Sequence, residues 1–511
     1  MSANTNNKWN DHGSSSYQQQ LPSSSFVKSF VARAHQFMKD TEQHSLQGMN
    51  PGGIYQAIWS RDASFILRSW FHSGNVHGVL QQISTIWSHQ IVPGKEKIIY
   101  GRGSPEMNYK PAIAKEDKQK LFLGALPTTM YQTGYIEVYG LNPDIDSTAL
   151  MISTTSWIFT KILKTRGEQY RRSSSSSSSS PSGDDNNSNY YISEAKSMTR
   201  HTKVIDFIVP RMLKAIDHLL SRDTDDDGLL EQNHNEDWMD TGLRAGKIVY
   251  SQACMILALN NLSYLFSELN NDNESERMTK LATRTISAVE KKLWSENDGS
   301  YIDIQQSHHI GGPYRTITQD VSLYLVAISE NTNSDSLRTH EPIHMNPDLR
   351  TTASQHQQRQ EDHPLKQQKD MYPLKNLDQL LGRAHNTLDA ISNRVWLDGW
   401  PTNVETLLKS SGPWHLKPYF YHNRTFWPWI TGIEILARSR FNRFDECDAL
   451  LSKLASEDRL HTLTFYEWVN PKTGKGGGSY PFRTGICTVR TAIDHVISYI
   501  EQNKVQVGKN R

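Results

Sequence analysis

The chain is poor in cysteine: Cys254, Cys447 and Cys487 are the only three in 511 residues, and no two have a paired spacing. A disulfide scaffold and a Cys-x-x-Cys metal ribbon are therefore excluded, and Cys254, in the apolar run Ala253 to Leu257, reads as a small buried residue. There is no run of about 18 apolar residues, so no segment reads as a membrane span. The formal charge is only +1, from 55 Lys and Arg against 54 Asp and Glu. That balance gives no broad attraction to nucleic acid or to an anionic membrane. The 20 histidines never fall into His-Glu-x-x-His spacing, and no Gly-x-Ser-x-Gly elbow occurs. The run Gly476 to Ser479 lacks the Lys-Ser/Thr ending of a phosphate loop. Neither a cofactor nor a metal is expected.

Apolar surface is also unevenly spread. Mean hydropathy is −0.62 with 36% hydrophobic residues, which implies that part of the chain stays solvated. Three segments lack the apolar surface to offset their ordering entropy. They are the Ser/Gln/Asn-rich residues 1–25, a polyserine stretch near 171–190 and a Gln/His-rich stretch near 331–370. The first also lacks the apolar core of a secretory leader, so a cytoplasmic protein is expected. The insertions interrupt the chain without dividing it, which leaves one catalytic domain over 26–503.

What remains is dominated by helical periodicity. About twelve helices are predicted, from Phe26–His44 to Gly485–Ile500, with Val249, Ala253, Ile256, Leu257 and Leu265 marking one apolar stripe. Extended segments are few, Lys97–Gly101 and Ser300–Ile304. Twelve helices with long alternate loops fit an all-α fold of six hairpins closed into an (α/α)6 toroid. Helix count alone does not select that over an irregular helical array.

Thirteen Trp and 21 Tyr are many, and some lie beside acids in loops. Trp59-Ser-Arg61-Asp62 offers a stacking face, a donor fork and an acceptor for vicinal hydroxyls, although a capped helix start explains it as well. Asp223-x-Asp225-x-Asp227-Gly228 opens like a calcium loop, but the twelfth position is His234 instead of Glu. A chain-reversing turn is expected there. The following segment carries Glu236, Asp237, Trp238 and Asp240. Three acids cannot all stay charged in an enclosed site, so one can hold a proton and act as general acid; Asp240 serves equally well as a helix-capping acid. Glu467 stands between Tyr466 and Trp468 before the turn Asn470-Pro-Lys-Thr-Gly474. A carboxylate framed by rings suits activation of a water beneath a sugar; the plainer reading is a strand-edge acid. Trp427, with Pro428 in a first helical turn, lines a pocket or packs in the core.

In order, Trp59-Ser-Arg61-Asp62, the Asp223 loop running into Trp238-Met239-Asp240, and Glu467-x-x-Asn-Pro-x-Thr-Gly474 resemble the six-hairpin glycoside hydrolases. The likeness is nearest to the amylo-α-1,6-glucosidase domain of glycogen-debranching enzymes. Related families are glucoamylases, trehalases, processing α-glucosidases and glucosyl- or mannosylglycerate hydrolases. The resemblance runs from about Gln47 to Ile500. It implies a single toroid and inversion at the anomeric carbon, with Asp240 as general acid and Glu467 as base. It further implies that Trp59, Arg61 and Asp62 hold the terminal sugar, with Trp427 lining the pocket; Glu236, Asp237 and Trp238 are further candidate substrate-binding residues. The debranching likeness and the base motif point to different branches. The expected activity is therefore inverting exo-hydrolysis of an α-linked glucoside, α-1,6 first, on an oligosaccharide or polysaccharide. A glycerate-glycoside hydrolase, a trehalase or a glucoamylase-like enzyme is the alternative within the fold. A non-catalytic carbohydrate-binding protein is the alternative from another class, and a polysaccharide lyase would require a Tyr or His base for which no distinctive motif is present.

Overall fold

In the computed structural model the described residues are 22–93, 98–100, 112–113, 122–176, 186–242, 244–303, 316–330, 377–407, 416–455 and 466–509. Among them twelve α-helices follow one another: α1 (Ser24–Ser45), α2 (Ser60–His72), α3 (Val76–Ser88), α4 (Ile145–Ser176), α5 (Asn186–Leu220) and α6 (Val249–Glu268). The second half holds α7 (Asp272–Lys292), α8 (Ser322–Ser329), α9 (Leu377–Ala390), α10 (Pro428–Arg440), α11 (Phe444–Leu454) and α12 (Arg483–Lys509).

Even-numbered helices form a closed ring. α2 packs on α4, α4 on α6, α6 on α8, α8 on α10, α10 on α12, and α12 returns to α2. Odd-numbered helices lie against this ring, α7 on α6 and α11 on α10 for example. This is an all-α toroid of paired helices, as the sequence predicts. Composition explains which helix lies where. α8 is buried along its whole length and α6 along nearly all of it, as a helix packed on every side must be. α7 instead buries one stripe, Ser275, Met278, Thr279, Ala282, Ile286 and Val289. It starts on an Asn271 side-chain cap with Asp272 and Glu274 in its first turn, and ends with Lys291 and Lys292, charges that complement the helix dipole.

Differences from the sequence expectation are local. α4 continues to Ser176 and α5 begins at Asn186, so the polyserine stretch expected to stay unpacked is helical at both ends. A helix already nucleated and packed upstream extends at little cost through residues that would not start one. The 331–370 stretch and most of 1–25 lie outside the described residues. A small five-stranded sheet, ordered β1 (Ile58–Trp59), β4 (Thr129–Met130), β5 (Ile136–Val138), β2 (Ile98–Tyr100) and β3 (Ala112–Ile113), was legible only at β2. All five strands are two or three residues long, too short for a period-2 signal, and β2 stands out only by its apolar run Ile98-Ile99-Tyr100. Further on, β6 (Trp294–Ser295) pairs with β7 (Ser300–Tyr301), where the sequence predicts an extended segment. β1 leads straight into α2 and so fixes Trp59 at the helix entrance. No described helix is long and apolar enough to cross a membrane.

Candidate active site

The ring positions the site through its helix entrances. Trp59 is the N-terminal cap of α2, with Arg61 and Asp62 in its first turn. Asp146 lies in the first turn of α4, and the Trp238–Asp240 loop precedes α6. Trp427 caps α10, and Thr484 opens α12. Positive helix ends thus converge where the acids are.

There Pro51, Tyr55, Trp59, Arg61, Asp62, Trp238, Asp240, Tyr421, His422, Trp427, Trp429, Glu467 and Phe482 line a cavity. Seven of the nine sequence-predicted residues meet there. Trp427 stacks on His422 (centroids 4.8 Å apart), and Trp238 stands edge-on to both Trp427 and Trp429 at 5.3 and 5.1 Å. The indole N–H of Trp238 donates to Asp320 at 2.6 Å, which fixes its plane.

Glu236 and Asp237 do not line the cavity. Glu236 is fully buried, paired with Arg222, and accepts from the Asn142 and Asn233 amides. Asp237 pairs with Arg244 at 2.9 Å, accepts from Gln232 at 2.7 Å and holds the Met239 N–H at 2.9 Å. Their hydrogen-bonding capacity is spent on fixing the loop. A sequence reading could not separate them from Asp240, because all three acids share one segment and only the fold supplies Arg222 and Arg244 to two of them.

Asp240 receives no such partner. Its Oδ1 is buried without a hydrogen bond, and the nearest basic group is His422 Nδ1 at 3.7 Å. Burial pushes its pKa up to about 7, opposed by Arg61 and reinforced by Glu467, Asp237 and Asp146. Glu467 is also pushed up by burial to about 7, opposed by hydrogen bonds to its carboxylate. Those bonds separate the two acids. Glu467 Oε1 accepts from the Tyr55 hydroxyl at 2.7 Å and Oε2 from the Ser479 N–H at 2.8 Å. Hydrogen bonds to a carboxylate favour its charged form, and their absence leaves the proton in place. Both carboxyl groups are raised to about 7 with those bonds counted, so each can hold or release a proton near neutral pH.

The geometry around Glu467 explains the glycine run. Strand β8 (Trp468–Val469) pairs with β9 (Gly476–Gly477). A Cβ on Gly476 would strike the Tyr466 ring, one on Gly477 the Trp468 ring, and one on Gly478 the Glu467 carboxylate. Gly478 also has φ +73°, a conformation costly for other residues. The Ser479 hydroxyl donates to the Gly52 carbonyl at 2.7 Å, which ties this hairpin to the loop that carries Tyr55.

Among the described residues of the cavity wall Arg61 is the one Lys or Arg, and it serves two acids: Asp62 at 3.0 Å and Asp146 at 3.6 Å. Asp62 also accepts from the Thr484 hydroxyl. Burial raises the Asp146 pKa to about 6 against the pull of Arg61, and raises Asp144 well above the usual carboxylate range. Sequence reasoning missed Tyr55, His422 and Asp146. The segment Tyr421-His422-Asn423, so near Trp427, was the available signal.

The acidic loop adopts the turn expected of it. Asp223, Asp225 and Asp227 place carboxylate oxygens within 4.8 Å of one another, a grouping that could hold a cation. Here the Lys247 ammonium reaches Asp225, Asp227 and Glu231, Lys292 also reaches Asp227, and Arg284 reaches Asp223. Against its burial, bonds from Lys247 and Lys292 pull Asp227 down to about 2.

No family model and no curated protein matches the sequence. Solved structures do match. The GH63 mannosylglycerate hydrolase from Thermus thermophilus, in complex with Tris and D-glycerate, superposes at TM-score 0.51 with 14% identity, over 90% of this chain and 99% of that one. The same hydrolase in complex with glucose gives 0.50 and 14%, over 90% and 98%. An uncharacterized conserved protein from the same organism gives 0.52 and 13%, over 90% and 99%. The chain shares the fold of a glycoside hydrolase. At such identity the likeness concerns the toroid, and the chemistry rests on the side chains above.

Proposed function

We propose that this chain is an inverting, exo-acting glycoside hydrolase for α-linked glucosides, with α-1,6-linked glucose first. One observation supports the reading: two carboxyl groups, each raised to about 7, line one indole-walled cavity, and Glu467 accepts hydrogen bonds from Tyr55 and the Ser479 N–H while Asp240 Oδ1 accepts none. Asp240 protonates the glycosidic oxygen as the bond to the anomeric carbon breaks. Glu467 takes a proton from the water that attacks the opposite face. Tyr55 and the Ser479 N–H keep Glu467 ionised and aimed. Trp59, Trp238 and Trp427 supply ring faces, while Arg61 and Asp62 offer a donor and an acceptor to hydroxyls of the terminal sugar.

A second reading shares the acid and base and differs in the leaving group. Glucosyl- or mannosylglycerate is favoured by the fold likeness to a mannosylglycerate hydrolase seen with D-glycerate and with glucose. Turnover of isomaltose, panose, maltose, trehalose, limit dextrin and both glycerate glycosides decides between them. Release from isomaltose or panose supports the first reading. Activity confined to the glycerate glycosides replaces it with the second.

A further inference from the structure

His422 is the polar group of the cavity wall whose role the acid–base pair does not explain. Its ring is clamped: Trp427 stacks on it, Trp238 stands edge-on at 5.1 Å, and Tyr421 lies tilted at 4.1 Å. Its own carbonyl accepts from the Asn403 side chain at 2.7 Å, which holds the backbone as well. Nδ1 is bonded to the Thr241 hydroxyl at 2.8 Å, the residue next to Asp240. Nε2 is buried and has no partner. Burial, with the guanidinium groups of Arg61 and Arg244, holds the ring's pKa well below the usual histidine range. The imidazole is therefore neutral at pH 7 and does not compete with Asp240 as an acid.

A buried polar atom left unpaired costs free energy, and native structures rarely keep one without a use for it. Here Trp427, Trp238 and Tyr421 pack against the ring, and His422 is one of the residues that line the cavity. Whichever nitrogen carries the proton, Nδ1 is spent on Thr241 and Nε2 remains free. A hydroxyl can both donate and accept, so it satisfies Nε2 in either tautomer.

We infer that His422 is a sugar-binding residue, its Nε2 pairing with one hydroxyl of the monosaccharide held in the cavity. The inference rests on the proposed glycosidase reading and extends it to a residue no motif marks. The clamp matters as much as the atom: a ring that cannot rotate recognises one hydroxyl position and rejects a sugar lacking it there.

Calorimetric binding of glucose and of its 2-, 3-, 4- and 6-deoxy analogues tests this on wild type and on His422→Ala. Wild type should lose about 10–100-fold in affinity for one analogue, as expected when a buried polar group is left unpaired. His422→Ala should bind glucose and that analogue equally. If the variant keeps the wild-type pattern across all four analogues, the inference is overturned while the glycosidase reading stands. If wild type binds none of these sugars, that reading itself fails. Should the variant not fold, the side-chain 15N resonance of Nε2 in wild type replaces it. A shift on adding glucose supports the pairing, and an unchanged resonance under saturating glucose overturns it.

Discussion

The Tyr55 hydroxyl donates to Glu467 Oε1 at 2.7 Å across 412 residues of sequence. It joins the loop before β1 to the hairpin before α12 and stabilises the charged form of the proposed base. Tyr55→Phe removes this donor and keeps the ring that packs against Trp59 and Phe482. A hydrogen bond to a charged group contributes about 1.5–3 kcal/mol, so kcat/KM should fall about 10–100-fold. The acidic limb of the pH profile should move to higher pH, because Glu467 loses an interaction that lowers its pKa. A phenylalanine variant with an unmoved acidic limb would remove Tyr55 from this role.

In the proposed mechanism activity requires Glu467 ionised and Asp240 protonated. With both groups near 7, kcat/KM should follow a narrow bell centred close to pH 7, falling below it as Glu467 takes up a proton and above it as Asp240 loses one. Rates flat from about pH 5 to 9 would contradict the pairing.

Asp240→Asn should reduce kcat by about 10²–10⁴-fold, the usual contribution of a general acid. The same substitution should raise stability at alkaline pH. Asp240 has a folded pKa above its unfolded value, so its stabilising contribution is complete below about pH 4 and is lost as pH rises through about 7. Asn carries no such loss. The gain in Tm over wild type should therefore be larger at about pH 8 than at about pH 5, and a gain independent of pH would show that Asp240 is not held protonated.

Gly478→Ala places a methyl group against the Glu467 carboxylate at a positive φ. Turnover should drop at least about tenfold, with helical circular dichroism unchanged, since a small misplacement of a reacting group can cost about 10²-fold. Wild-type activity in this variant would mean that the hairpin yields and does not position the base.

Lys247 stands among the acids of the Asp223 loop. Lys247→Met should lower Tm, because unpaired like charges remain around Asp227, while chelation by EDTA should leave the wild-type Tm unchanged. A fall in Tm on chelation would show that a cation shares the loop with Lys247.

The helices were legible because burial imposes its period on long segments. The apolar run over Val249–Leu265 reads clearly as a helix, although α6 is buried on nearly every side and not along one stripe, and the start of α10 is marked by Pro428. Asp240, Glu467 and Trp59 were legible as aromatic-flanked acids or acid-flanked aromatics in loops. Tyr55 was not, since Ile54-Tyr55-Gln56 has no pattern and its meaning comes from a residue 412 positions away. The run Gly476–Gly478 reads as chemically empty, because glycine acts there through what it does not occupy. Glu236 and Asp237 looked like Asp240 because ion pairing is decided by Arg222 and Arg244, which only the folded chain brings to them.

The most direct test of the central claim follows the anomeric protons by NMR during the first minutes of hydrolysis of isomaltose or panose. Early accumulation of β-glucose from the α-linkage is the predicted result, with Asp240 as acid and Glu467 activating water. Early α-glucose would contradict it, because retention requires one of these carboxylates to attack the sugar itself.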